Sequence, residues 1–375
     1  MRKIKIAYIT LHKVRNYGSV LQTYATSKVL EKLGHDPVLI DYCSPRFVEN
    51  HRVDDEFARF KHPKKNNPFI KALFYAVMSC SIKRQRRQFD GFLADKVSRT
   101  KTYFDIDELR ADAPEADVYC TGSDQVWNIL GNRFFERPFY LDFGKDSVRR
   151  IAFSSSFGRT AIEEEERENS RPLLQRYDAI GVREMSGLSI LEDIGVRNFA
   201  NTLDPVLALE EAEWMALTSE KSPFKKKYIL IYEFNKTSNI STYARELAKK
   251  TGLPVKRVTY WYHERHKGEE CIALPSVEMF LNLIRHAEYI ITNSFHATVF
   301  STIFRKKFAA VYPELCSVRL DDFLKLTGML ERHVEDPANI ESIEKAVDYD
   351  RVYAKIAEER EKTLSFLQKG INGDV

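Results

Sequence analysis

Disulfide and metal chemistry find little footing in this chain. Its five cysteines (Cys43, Cys80, Cys120, Cys271 and Cys316) are odd in number and scattered, with no CxxC pair and no Cys/His cluster at ligand spacing. They read as reduced thiols of a cytoplasmic protein, and no bound metal is expected. Long apolar runs are missing too: nothing approaches the roughly 18 to 20 uninterrupted apolar residues of a membrane-spanning helix. The opening MRKIKIAYIT has neither the long apolar region nor the small-residue cleavage site of a secretory leader, and reads as a buried strand. Any membrane contact is therefore expected to be peripheral, at the inner face. No repeat and no low-complexity tract is visible. A dinucleotide-binding GxGxxG and a P-loop are both absent, which removes the best support for nucleotide-binding readings.

What is present belongs to a globular protein. Hydrophobic residues make up 43% and charged residues 30% of 375, enough apolar surface to offset chain entropy and too long a chain for one core. A net charge of +4 does not argue for nucleic acid, and none is expected as a partner, but the charge is uneven. Between Arg59 and Lys101 there are twelve Lys/Arg against two Asp, together with the apolar stretch Phe69 to Met78. This basic, amphipathic segment suits an anionic membrane surface or an acidic substrate; a solvated helical excursion over 55–105 is the other reading.

The periodicity alternates. Lys3 to Thr10 is a parallel-strand run, and Leu21, Ala25, Val29 and Leu33 fall four apart on a helix that Gly34 can end. Val38 to Tyr42 completes a β-α-β unit. Strands are then expected at Ala116–Thr121, Arg150–Ser155, Ala179–Val182 and Asn198–Leu203, with helices at Arg171–Tyr177 and Ser186–Ile194. The polar stretch Glu220 to Lys227 breaks the pattern. A second series follows: strands at Tyr228–Glu233, Val255–Thr259, Tyr289–Thr292 and Phe308–Tyr312, and helices near 240–250, 277–287 and 297–305. The expected fold is α/β with two Rossmann-like, doubly wound domains, 1–222 and 223–340, and a C-terminal helix in 341–375 that packs back on the first.

In such sheets ligands sit beyond the carboxyl ends of the strands, and four loops there carry chemistry. The first, His12 to Ser19, offers Asn16, Tyr17 and Gly18 at a helix start, where free N–H groups suit an anionic or hydroxyl-rich ligand; a plain tight turn is the alternative. The second gathers Ser123, Asp124, Gln125 and Asn128 around Trp127, a combination that suits a sugar ring, although a lone Trp is more often core. The third ends in Arg183, whose planar fork matches carboxylate or phosphate oxygens; a surface pair with Glu184 is its bland reading. The fourth holds Asn293, Ser294 and His296 where a strand gives way to an apolar helix, a place that favours a neutral imidazole able to act as a general base. Arg319 could add a cation downstream, or pair with Asp322.

Taken in order, RNYGSVLQTYA (Arg15 to Ala25), GSDQVWN (Gly122 to Asn128), SSFG (Ser155 to Gly158), VREMSGLSILEDIG (Val182 to Gly195), DPVLAL (Asp204 to Leu209) and TNSFHAT (Thr292 to Thr298) resemble the polysaccharide pyruvyl transferase family. The resemblance implies a glycosyltransferase-B-like fold and transfer of pyruvate from phosphoenolpyruvate, as a ketal, to a sugar of a cell-surface polysaccharide or its lipid-linked precursor. It implies no cofactor beyond that co-substrate. His296 then looks like the catalytic histidine, with Arg183, Arg319, Ser294, Asn293 and Arg159 on the donor side and Asn16, Tyr17, Gly18, Ser123, Asp124, Gln125 and Trp127 on the acceptor side. Relatives often carry Arg-Leu-His where this chain has Ser294-Phe295-His296, so one donor-binding arginine is missing: Arg319 or Arg159 takes that load, or the donor differs. Two rivals stand beside this reading, a nucleotide-sugar glycosyltransferase on the same architecture and a non-catalytic sugar-binding relative.

Overall fold

The computed structural model describes residues 3–44, 53, 57, 60, 63, 64, 66–129, 135–234, 238–312 and 318–374. Among these, the first half of the chain runs β1 (Lys5–Ile9), α1 (Tyr17–Lys32), β2 (Asp36–Tyr42), α2 (Pro68–Lys96), β3 (Arg99–Tyr103), α3 (Ile106–Ala111), β4 (Val118–Thr121) and β5 (Arg149–Ser155). It continues with α4 (Glu164–Leu174), β6 (Ala179–Val182), α5 (Met185–Ile194), β7 (Phe199–Asn201), α6 (Pro205–Ala208) and α7 (Glu211–Met215). These strands form one all-parallel sheet in the order β3-β2-β1-β4-β5-β6-β7.

The second half repeats the scheme with β8 (Ile229–Tyr232), α8 (Ser238–Thr251), β9 (Val255–Thr259), β10 (Glu270–Ala273), α9 (Val277–His286), β11 (Tyr289–Thr292), α10 (Phe295–Ile303) and β12 (Lys307–Ala310). Its sheet is parallel with the order β10-β9-β8-β11-β12. Helices α11 (Val318–Thr327) and α12 (Tyr349–Asn372) follow. In each sheet the winding reverses between two central strands, β1 and β4 in the first and β8 and β11 in the second. A crevice opens at such a reversal, because the two connections leave in opposite directions.

Burial explains why the central strands read so clearly. Every residue of β4, β6, β8 and β11 is buried, since helices cover both faces of each sheet. The edges read poorly for the converse reason. Strand β3 (RTKTY) falls inside the segment expected as a helical excursion over 55–105, and β10 falls where the sequence predicts no strand; both are edge strands, half exposed, without a continuous apolar run. Part of that 55–105 excursion lies outside the described residues. The helix expected at Arg171–Tyr177 lies earlier, at Glu164–Leu174, where three glutamates occupy a first turn whose dipole favours them. Helix α10 begins at Phe295 rather than Ala297, which places His296 inside its first turn.

Helix α1 is buried along thirteen of its sixteen residues because it contacts α6 on its own side and α9 and α10 of the other half. The terminal helix α12 returns to the first sheet. Its Thr363 hydroxyl accepts from the Leu203 N–H at 2.9 Å, and Arg149 donates to the Ile371 carbonyl at 2.7 Å. At Gly370 a Cβ would stand 2.9 Å from the Cβ of Ala179, so only glycine lets the helix lie that close to β6. No described helix is long and apolar enough to cross a membrane.

Candidate active site

The two reversal points face one another, and helix starts from both meet between them. Asn16 caps α1, its Oδ1 accepting from the Ser19 N–H at 2.7 Å. Ser294 caps α10, its hydroxyl accepting from the Ala297 N–H at 3.4 Å. The imidazole of His296 lies on the first turn of α1: a Cβ added to Gly18 would stand 2.2 Å from Nδ1. Glycine at 18 is therefore a requirement of close approach, set by a residue in the other half of the chain.

Around this contact four charged groups converge. Arg183, at the end of β6, donates from Nη1 to Asp204 Oδ2 at 2.6 Å. Asp204 caps α6, accepts from the Val206 N–H at 3.0 Å and from the Ser123 hydroxyl at 3.1 Å, and stands 3.7 Å from Nε2 of His296. Asp124, in a left-handed backbone conformation (φ 78°), accepts from the Ser19 hydroxyl at 2.6 Å. Its other oxygen lies 3.7 Å from Arg183 and 3.6 Å from Arg319. With its amide oxygen turned toward Arg319, Gln125 accepts from Nη2 at 2.9 Å and from Nε at 3.2 Å.

Burial by itself would push both carboxyls up. For Asp204 it is outweighed by the nearby His296 and by Arg183, and for Asp124 by Arg183, Arg319 and His296, so both are held below the usual carboxylate range. Burial likewise works against the Arg183 cation, yet Asp204, Asp124 and Glu184 keep it charged. The two arginines are thus balanced by two aspartates. What remains unused is hydrogen-bonding capacity: Nε and Nη2 of Arg183 and Nε2 of His296 are buried with no hydrogen-bond partner among the described residues. Buried orphan donors are uncommon in native proteins and cost of the order of 1–3 kcal/mol each unless a ligand or water meets them.

Phe295 adds an apolar wall. Arg183 sits over one region of its ring at 5.0 Å and Arg319 at 5.7 Å, distances at which a ring holds a guanidinium in place. Beside it is a cleft of about 220 Å3 between the halves, with Arg183, Asp204 and Arg319 at its polar end and Leu203, Phe323 and Leu326 among its apolar lining. Among the described residues no group of three or more His, Cys, Asp or Glu is placed to hold a metal ion.

Of the residues singled out from sequence, the structure brings together Asn16, Gly18, Ser123, Asp124, Gln125, Arg183, Ser294, His296 and Arg319. Three others are elsewhere. Trp127 is fully buried, stacked among Tyr140 and Phe157 with its indole N–H on the Phe139 carbonyl, so it offers no face to a sugar. Tyr17 is also fully buried; it stacks on Phe280 and donates to the Pro275 carbonyl, a contact that joins the halves. Arg159 is engaged by the buried Glu166 at 2.5 Å, which argues against a share in donor binding. The side-chain oxygen of Asn293 accepts from the Phe234 N–H at 2.8 Å, a bond across the β8–β11 reversal. Neither arginine forms the simple neighbour pair considered from sequence: Arg183 turns to Asp204 rather than Glu184, and Asp322 accepts from the Met185 N–H at 3.1 Å. Sequence reading assigned no role to Asp204, Phe295 or Ser19. Asp204 had a signal, an Asp-Pro at a helix start just past a strand; Phe295 had none beyond adjacency to His296.

Two parallel doubly wound sheets with a site where their reversal points meet define the glycosyltransferase-B-like architecture. Solved structures agree. A putative UDP-N-acetylglucosamine 2-epimerase from Listeria monocytogenes is 10% identical, with a TM-score of 0.51 and coverage of 96% of this chain and 91% of that one. UDP-N-acetylglucosamine 2-epimerase from Rickettsia bellii is 12% identical, with a TM-score of 0.52 and coverage of 99% and 98%. At that identity the likeness is one of fold. No curated protein matches the chain in sequence. A family model, however, matches residues 16–314: the chain belongs to the polysaccharide pyruvyl transferase family.

Proposed function

We propose that this protein transfers the enolpyruvyl carbons of phosphoenolpyruvate to a sugar, forming a pyruvate ketal across two hydroxyls. The observation that carries the reading is the set of buried, unpartnered donors on Arg183 and His296 beside Arg319, where two helix starts converge. Phosphoenolpyruvate presents a carboxylate and a phosphate, and guanidinium forks and helix N-termini are the groups that hold such oxygens. Since Asp124 and Asp204 already balance the arginine charges, binding relies on directed hydrogen bonds more than on net charge.

The chemistry balances with one imidazole. A proton is delivered to the methylene carbon while a sugar hydroxyl adds to the neighbouring carbon and loses its own proton. Phosphate then leaves with the bonding pair, and a second hydroxyl closes the ring and releases a proton. His296 is the group placed to move these protons; Asp204, 3.7 Å away, steadies its ring, and Arg183 and Arg319 hold the donor. Asn16, Ser123, Asp124 and Gln125 border the acceptor side. No cofactor enters this scheme.

Incubating the protein with phosphoenolpyruvate and candidate sugars, and following phosphate release, tests the reading. Acceptor-dependent release, lost in His296→Ala, supports it. Release of UDP from a UDP-sugar would instead support a nucleotide-sugar glycosyltransferase on this architecture, and inertness toward both donors would leave a sugar-binding relative. The basic segment from Arg59 to Lys101 fits an acceptor presented on a lipid carrier at a membrane surface.

A further inference from the structure

Helix α2 is anchored at its C-terminal end and projects at its N-terminal end. Phe89, Phe92 and Leu93 are buried in the main core, and Asp90 takes Arg15, from the loop that leads into α1, at 3.0 Å. Midway the helix crosses to the other half of the chain. Gln85 donates to the Tyr260 carbonyl at 3.0 Å, the Ser81 hydroxyl accepts from the Tyr262 N–H at 3.2 Å, and Met78 and Ile82 form a small cluster with Val53 against which Trp261 packs. Beyond that crossing the outer face is apolar and uncovered. Phe69 is 85% exposed and Leu73 66%, the two most exposed large apolar side chains among the described residues, one helical turn apart on one face, with Ala72 and Ala76 exposed beside them.

Single exposed apolar residues need no explanation, but these are contiguous and fringed by one sign of charge. From Pro68 to Gln88 the sequence holds Lys71, Lys83, Arg84, Arg86 and Arg87 and no Asp or Glu. The adjoining loop adds Tyr262, 40% exposed, with Arg265 and Lys267 also exposed, while its acids are engaged elsewhere: Glu264 accepts from the Tyr260 N–H at 3.1 Å, Glu269 pairs with Arg257, and Glu270 pairs with Lys256 at 2.5 Å. Aromatic and aliphatic tips flanked by Lys and Arg are the composition of an element that lies in the headgroup layer of an anionic bilayer. A second copy of the chain fits less well, because two such faces would bring like charges together.

We infer that α2 docks the protein on a membrane surface bearing anionic lipid, its first turns inserting Phe69 and Leu73 beside Lys71 and the exposed Lys83 and Arg87 further along the helix adding charge. This deepens the transferase reading and rests on it only for its purpose: α2 fastens through Asp90 to the loop before α1, so the helix whose outer turns dock, about 25–30 Å from that anchor, also borders the site to which a lipid-carried acceptor would be brought.

Co-sedimentation of the full chain with vesicles tests it, using phosphatidylcholine alone and an equal mixture with phosphatidylglycerol. The protein should pellet with the mixed vesicles, not with phosphatidylcholine, and be released by salt. Phe69→Ser with Leu73→Ser should weaken partitioning about tenfold or more without lowering the melting temperature, both side chains being in solvent. Lys83→Glu with Arg87→Glu should weaken it as well. Equal binding to both compositions, no binding to either, or wild-type partitioning by the Phe69/Leu73 variant overturns the inference. Self-association in the absence of lipid, abolished by the same variant, would assign the face to a second copy and overturn it too. Since no phosphoenolpyruvate is present, this result and the turnover result fail independently.

Discussion

Helices α1 and α10 are built alike and do opposite things. Each follows a strand that borders a reversal, begins at a polar cap, and is buried along nearly its whole length. Where α10 presents an imidazole in its first turn, α1 presents bare backbone at Gly18, and that missing side chain makes room for the ring. Two N-termini thereby bring their positive ends to one spot, and Asp204 and Asp124 bring the negative charge that keeps the cluster neutral. A site can thus be specified as much by a missing Cβ in one half as by a reactive group in the other.

The comparison breaks first at the ring. His296→Ala should lower the rate of phosphate release by about 100- to 10,000-fold, the usual weight of a general acid–base group, with little change in melting temperature. A variant that turns over normally would remove the imidazole from the chemistry. Next comes the balancing charge. Asp204→Ala takes from buried Arg183 its hydrogen-bonded partner, leaving only the more distant Asp124 and Glu184, and should cost about 3–5 kcal/mol in denaturant unfolding. The pH dependence has a definite sign. Asp204 and Asp124 have folded-state pKa values held below their unfolded ones, so their stabilisation is complete above roughly pH 4 and is lost as pH falls further. Melting temperature should be flat near neutrality and drop in acid, with a shallower drop in Asp204→Ala.

Gly18→Ala sharpens the comparison from the other helix. Its Cβ, 2.2 Å from Nδ1, forces the ring to move, and a displacement of about 1 Å is worth roughly 100-fold in rate. The loss should fall on kcat more than on folding, read by comparing turnover with melting. The caps give the smallest effect. Asn16→Ala removes a 2.7 Å bond and should cost about 1 kcal/mol; Ser294→Ala, whose bond is 3.4 Å, should cost less in the same unfolding assay.

How much of this was legible beforehand varied with burial. Central strands such as Tyr289–Thr292 are apolar on both faces and read directly, whereas β3 and β10, at sheet edges, carry charged residues and do not. In the site, His296 and Arg183 stood out as reactive types just past strands. Trp127 and Tyr17 stood out equally and proved to be packing residues, because an aromatic ring beside polar neighbours has the same sequence signature whether it faces a cleft or a core. Asp204 went unassigned since its partners, Arg183, Ser123 and His296, lie 21 to 92 positions away.

By itself, then, the chain's order of residues determined two alternating β/α series, the loops that end their strands, and the family. These follow from periodicity and local motif, which act within a dozen or so neighbours. Only the tertiary structure decided that Gly18 touches His296, that Asp124 and Asp204 balance two arginines, and that Phe69 and Leu73 face solvent. Such contacts depend on how two separately wound sheets meet, and that geometry is fixed by packing across the whole chain.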